Sequence, residues 1–561
     1  MSCQCSLFHN IFFMWVVILI ASCNRIDMLE NENIYNTNDK VILYLSFDLD
    51  NGTDNGTDAQ ARANRPGENE NLVPGTGIEN TISSLHLFWK INNNWRYIKV
   101  NSPVLEGNEV KIEIDKNDNS LDGIEMWLGA NLNDNQAEAF MKENEEYRWN
   151  NSISWAGEFA PFSLNSDIQS GERSDISMFC RESSKPELID GESNKYKISF
   201  NLKRVVAKIL VTCKQDGQGY VSINNNNDSN FDGWIKGENV YYAINGVNKS
   251  AYIMQRVNDG ADYDNNVIDP NNNLSGYLDS YDVDNQELYL TQIDKDFYYY
   301  DVNELMSKSE SLYKRALKSD DTGNYSDGIY CPENTFIYNN ESPEKLKGNP
   351  SSWGMITSVS VKAKFSPKEL FVEGDLFDYI INNSHEENIK EIVGSIKNNK
   401  KEEINAKDTY KINCLYENIS NVFLRYSLIK NNFVSDKFPY IDGFPSDTYF
   451  YHNTEKEYYT YGAAKNKVNA VDNTTELGNY EPYYGGWGYY FTYIDNRLIK
   501  NNNEPFDEFY KYGQVERNRY YVITINSFSN PGSSSGNANY IEVNTEIEPW
   551  KDGGSGDVVL E

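Results

Sequence analysis

Histidine is nearly missing from this chain: four residues in 561. One of them, His9, lies in the N-terminal apolar segment, leaving His86, His385 and His452. None stands near a serine or cysteine in a nucleophile context, which argues against a catalytic triad or a histidine-based zinc site. Cysteine is sparse as well, with seven residues and no CxxC spacing. There is no phosphate-binding P-loop and no GxGxxG turn. Positive charge is the next deficit, with 51 Lys and Arg against 84 Asp and Glu and a net charge of −33. That balance argues against nucleic acid and against anionic membrane surfaces as partners. With 84 carboxylates, an acidic pair has no specificity as a glycosidase signature. Neither a catalytic residue nor a cofactor site is expected.

Long apolar runs are also lacking, apart from residues 11–21. That run is about half the roughly 20 residues a membrane-spanning helix needs. It ends in LIASC, with small residues leading into Cys23, the pattern of a lipoprotein signal in which the Cys thiol is acylated. Residues 1–22 are therefore expected to be a signal peptide, and the mature chain to be exported and tethered at most by lipid. Cys180, Cys213, Cys331 and Cys414 would then meet an oxidising compartment, as buried thiols or in one of three disulfide pairings.

What is abundant is tyrosine, 41 residues against 25 Phe and 10 Trp, with Asn, Asp and Gly throughout. This composition suits β-sheets joined by polar turns. The length implies two to four domains. Val41, Leu43, Leu45, Phe47 and Leu49 share one face of a strand, and five such side chains represent about 8–15 kcal/mol if fully buried. Two copies of NGTD follow, reading as a hydrophilic tether with a turn signal at each Asn-Gly. Between Val41 and Trp89 the only Lys or Arg residues are Arg62 and Arg65. Pro66 blocks the second, so Arg62–Ala63 is the better site for a trypsin-like protease.

Strand patterns resume at ENTISSLHLFW (79–89), VKIEI (110–114) and GIEMWLGANL (123–132). KISFNLKRVVAKILVTC (197–213) reads as a strand pair or one bent strand, and SVSVKAKFSP (358–367) alternates cleanly. Helices are expected at 135–147, at 301–318 and on the stripe Ile389, Ile392, Val393 and Ile396. Near the end, Ile541, Val543, Thr545 and Ile547 alternate with polar residues. A GGSG hinge then precedes Val558, Val559 and Leu560, an arrangement that points to a receiving surface elsewhere. DSNFDG (228–233) offers Asp228, Asn230 and Asp232 as calcium ligands, but Asn239 stands where the loop needs a bidentate Glu, so an Asx-rich turn explains it better. The clusters FYYYD, EYYTYG and YYGGWGYYFTY could stack sugars, although tyrosine is also an ordinary strand residue.

Taken in order, the lipobox, the strand and tether ending in ARANRPG, ENTISSLHLFW, NLKRVVAKI (201–209), YCPENTF (330–336), VSVKAKFSP, GGWGYYFTYI, YGQVERNRYYVITINSFSNPG and EIEPW…VVLE resemble the Bacteroidales fimbrillin superfamily. These are the type V pilus subunits, and the resemblance is to the Mfa-like minor fimbrium branch. It implies a mainly β chain of two tandem transthyretin-like, Greek-key β-sandwich domains with a few inserted helices. The domains would be 63–340 and 341–561, behind a propeptide at 23–62. It further implies a precursor anchored in the outer membrane through lipid on Cys23 and cut by an Arg-specific protease between Arg62 and Ala63. The strand 41–49 would be lost, and residues about 541–561 of a neighbouring subunit would fill its groove. Partners would be identical or related subunits and a host protein or glycan, in an extracellular fimbrium. The alternatives are a tip or accessory adhesin and a surface glycan-binding lipoprotein.

Overall fold

In the computed structural model the described residues are 40–49, 81–106, 109–115, 121–142, 176–180, 182–223, 232–248, 254, 297–298, 305, 313–319, 328–334, 357–382, 409–414, 448–471, 479–494, 515, 517–528, 531–533, 539–540, 543–549 and 559–560. The chain is mainly β, with several sheets and few helices.

The first sheet has nine strands. They are β1 (Lys40–Leu49), β3 (Ser84–Ile91), β4 (Asn94–Asn101), β5 (Leu105–Glu106), β6 (Glu109–Asp115), β7 (Met126–Ala130), β8 (Met178–Cys180), β9 (Glu187–Leu188) and β10 (Lys195–Arg204). The spatial order is β4-β3-β7-β8-β10-β1-β6-β5, with β9 also on β10. Alternation writes β6 and β10, where every second residue is buried as a half-buried strand requires, while β3 and β7 are buried on successive residues. One core results, joining Leu43, Leu87, Phe88, Ile112, Leu128, Phe179 and Phe200, with Phe140 of helix α1 (Asp134–Lys142) against Phe88 and Phe179.

Val205 ends that sheet, and β11 (Val206–Cys213) enters a second one. There it lies between β26 (Arg519–Ile525) on one side and β17 (Leu317–Lys318) and β18 (Ile329–Pro332) on the other, and β29 (Val543–Pro549) lies beyond β26. The third sheet has the order β27-β12-β13-β19-β25-β28, with β16 on β13. Its strands are β12 (Tyr220–Ile223), β13 (Gly233–Asn245), β16 (Lys314–Arg315), β19 (Ser358–Pro367), β25 (Trp487–Tyr493), β27 (Ser527–Phe528) and β28 (Asn539–Tyr540). These two sheets face one another as a sandwich. Ile209, Val211, Tyr521 and Ile523 from one meet Tyr242, Ile244, Val359 and Phe365 from the other in a single core. Leu210, Tyr520 and Val522 point to the opposite face and form their own cluster, so β11 is buried on both sides and reads as an unbroken apolar run.

A fourth sheet, β21 (Thr409–Asn413), β20 (Glu369–Glu373), β23 (Glu457–Tyr459), β22 (Tyr449–His452) and β24 (Tyr480–Tyr483), shares that core through Leu370, Val372, Tyr449 and Tyr483. Its far face packs Phe371, Phe450 and Tyr459 beneath Ala463 and Ala464 of α3 (Tyr461–Val471). Helix α2 (Gly374–Asn382) follows β20 directly. Two short pairs complete the fold: β14 (Val247–Asn248) with β15 (Phe297–Tyr298), and β2 (Thr81–Ile82) with β30 (Val559–Leu560).

Three expectations from the sequence need adjustment. The first core runs to Val206 and the second takes over at Ala207, where β11 finds its ladder partners at 329–332 and 520–525, while the boundary expected at 340 lies outside the described residues. Residues 197–213 are accordingly one strand in each of two sheets, not a pair. The helix expected over 301–318 does not reach its end: Lys314–Arg315 and Leu317–Lys318 are strands that pair with β13 and β11. The helix expected at 384–396 lies outside the described residues, while α3 was not anticipated: only its first two residues, Tyr461 and Gly462, belong to the cluster EYYTYG.

Candidate assembly site

β1 is an interior strand. It runs parallel to β10 over eight residue pairs, Ile42 with Lys195 through Leu49 with Leu202. It runs antiparallel to β6 over six pairs, Lys40 with Asp115 through Leu45 with Val110. Val41, Leu43 and Leu45 are buried, the last two completely, and Phe47 packs against the same core while half-buried. The apolar alternation explains this placement, since a one-residue slip would turn all of these side chains to the opposite face.

The opposite face of β1 is polar or half-buried. Lys40 Nζ donates to Glu113 Oε2 at 3.0 Å, which holds the Glu113 carboxyl below its ordinary range and the Lys40 ammonium above its own. The pair is exposed and contributes little to stability. Ser46 Oγ lies 2.7 Å from Ser199 Oγ. At the start of the strand, Ile42 N–H donates to the Asn194 carbonyl at 2.9 Å, and Asn194 Nδ2 donates to the Lys40 carbonyl at 3.3 Å.

From Leu49 the next described residue is Thr81, so Arg62 and Ala63 fall outside the described residues, as does Cys23. Past that interval, β2 pairs in parallel with the chain's own Val559–Leu560, and β3 enters the core. Val543–Pro549, with Val543 and Ile547, forms β29, at the edge of its sheet among the described residues and in seven-pair antiparallel register with β26. Ile541 and Val558 lie outside the described residues. The two stretches of the expected donor tail therefore have cis partners in different sheets.

The four cysteines are free and buried. Burial pushes the Cys180 and Cys414 thiols up to about 12 and raises Cys213 and Cys331 as well, so all four are poor nucleophiles. His86 is wholly buried, its Nε2 2.9 Å from Ser84 Oγ and its Nδ1 2.7 Å from Tyr97 OH. Burial, with Lys99 adding to it, lowers its pKa to about 4. His452 packs edge-on against Tyr480. Asp232 is ion-paired with Lys368 at 3.0 Å, while Asp228 and Asn230 lie outside the described residues. Among the described residues no three His, Cys, Asp or Glu side chains gather as metal ligands.

Two buried polar features were missed from sequence. Arg517 Nε donates to Glu333 Oε2 at 2.9 Å with both side chains buried, and Arg204 donates to Asn518 Oδ1 at 3.2 Å where the two cores meet. Their partners are 184 and 314 residues apart, which no local pattern reveals. Much of the tyrosine noted in the sequence is interior: Tyr449, Tyr458, Tyr483 and Tyr490 belong to the second core.

The structural neighbours of this chain are fimbrilin and cell adhesion proteins of Bacteroidales. A protein of Parabacteroides distasonis assigned to cell adhesion is 10% identical, with 91% of this chain and 99% of that chain covered and a TM-score of 0.37. A fimbrilin of Porphyromonas gingivalis is 11% identical, with coverages of 92% and 98% and a TM-score of 0.35. A cell adhesion protein of Bacteroides eggerthii is 9% identical, with coverages of 91% and 96% and a TM-score of 0.33. No family model and no curated protein sequence matches the chain. At these scores the likeness assigns no role to any residue.

Proposed function

We propose that this chain is a fimbrial adhesion subunit, a structural protein and not an enzyme, exported as a lipoprotein on Cys23 and activated by cleavage between Arg62 and Ala63. The observation that carries the reading is the position of β1. A strand that supplies three buried core side chains and two backbone ladders stands upstream of the Arg-Ala bond. If it leaves, the sheet is missing an interior member. Reburying three such side chains is worth about 5–9 kcal/mol, and the ladders give the replacement its direction.

The replacement is the tail of a second copy, residues about 541–561. A head-to-tail contact that does not close on itself gives an open filament. Cleavage has to come first: a covalently attached β1 acts at an effective concentration on the order of mM, about a thousandfold above a micromolar donor in trans. Release of the tail starts at its end, where two residue pairs hold Val559–Leu560 in cis against seven for β29. The shaft is the favoured position of the subunit, with the tip as the other.

Limited digestion with an Arg-specific protease, followed by N-terminal sequencing and electron microscopy, tests the proposal. The expected result is a new N-terminus at Ala63 and fibres that appear only after the cut. Complete cleavage that leaves intact monomers would refute the assembly role.

A further inference from the structure

The hairpin β5–β6 sits at the end of the sheet, and its only neighbour there among the described residues is β1. β5 pairs with β6 through just two residue pairs, Leu105 with Val110 and Glu106 with Glu109. Lys111 through Asp115 therefore have β1 as their sole described ladder partner, through Tyr44, Leu43, Ile42, Val41 and Lys40. Upstream the hairpin hangs from a turn in which Ser102 takes a positive φ of 45° and Val104 is exposed. Ser102 N–H donates to the Ser83 carbonyl at 2.8 Å, fixing the near end of that connection to the start of β3. The other strands of the sheet are differently placed, since β3, β7, β8 and β10 each have described neighbours besides β1.

We propose that β5–β6 is a flap whose ladder to the first sheet, among the described residues, is β1 alone, so that departure of β1 releases the flap and opens the vacated slot from the side. This deepens the strand-replacement reading and rests on it for its purpose, though the latch is a property of the chain as it stands. The physical argument compares what holds the hairpin with what ordering it costs. Val110, Ile112 and Ile114 are buried, and on its own a two-stranded hairpin is marginal in water. With the β1 ladder present it supplies the last two of the eight strands in a continuous path. Without that ladder it is an isolated hairpin on three side-chain contacts. A flap also answers a problem that an interior slot poses. An incoming strand must form a parallel ladder with β10 and an antiparallel one with β6. With the flap open it can pair with β10 first and be covered by β6 afterwards.

Native-state hydrogen exchange on the full chain tests the latch without any cleavage. In low urea, the amides of Lys111–Asp115 are expected to exchange through the same opening as those of Lys40–Leu45, while β3 and β7 stay on a slower isotherm. If Lys111–Asp115 follow β3 and β7 instead, the proposal is overturned. The variant Leu43→Ala provides the second reading. It should reduce protection in β1 and in Lys111–Asp115 by the same factor, at least about 30-fold. Loss confined to β1 would refute the latch. Fibre growth is scored separately: cleaved chains that never assemble, yet show β6 following β1, would remove the exchange reading and leave the latch standing.

Discussion

Leu43→Ala is the sharpest probe of how much β1 contributes to the core that it completes. Leu43 is fully buried and sits between Ile112 of β6 and Tyr196 of β10. Truncation at such a site removes the transfer free energy of the lost atoms and leaves a cavity, at a cost of about 2–5 kcal/mol. A domain has only about 5–15 kcal/mol in all. With a urea slope near 2 kcal/mol per molar, the midpoint of the first unit should fall by about 1–2.5 M. Peptide-resolved hydrogen exchange over residues 81–130 along a urea series reads that unit apart from the second core. Val104→Ala supplies the control: that side chain is 74% exposed, and its loss should shift stability by no more than about 0.5 kcal/mol. If Leu43→Ala moves the midpoint no further than Val104→Ala, β1 contributes nothing to the core and the driving force assigned to its replacement disappears.

Replacing Arg62 by Gln should leave folding intact while abolishing both the Ala63 N-terminus and fibre growth, read by N-terminal sequencing and electron microscopy. His86, held near 4 by burial, is neutral when folded, so the stability it carries is present above its unfolded value of about 6.5 and is lost as pH falls toward 4. The loss should be about 3 kcal/mol, and His86→Asn should flatten the pH dependence of urea midpoints across that window. Glu333→Gln leaves the buried Arg517 guanidinium without its carboxylate and should cost about 3–5 kcal/mol, measured as loss of stability in the second core by the same exchange experiment.

Alternation carried much of the fold. The 358–367 segment is β19 with its alternate residues in the core, and β6 contains the expected VKIEI. Period-two burial is local, so it survives translation from pattern to strand. Residues 197–213 show the limit. Their apolar run continues through Val205 and Val206, and nothing in it marks a change of sheet. The break comes from partners supplied by 329–332 and 520–525. The helical spacing expected over 301–318 does not hold at 314–315 and 317–318 for a related reason, because two short ladders recruited those residues as strands. The calcium reading of 228–233 retains only Asp232 among described residues, and there Lys368, in the bend between β19 and β20, is ion-paired with it.

The sequence alone determined that the chain is β-rich, that Val41–Phe47 has one apolar face, and that Arg62 and Arg65 are the sole Lys or Arg residues between Val41 and Trp89. These are properties of neighbouring residues, and the chain displays them directly. Only the tertiary structure decided that β1 is interior, that β10 and β6 flank it with opposite polarity, and that β5–β6 reaches the sheet through β1. Ladder partners 65 to 153 residues apart are chosen by which buried faces fit together, and that selection is made only when the whole core closes.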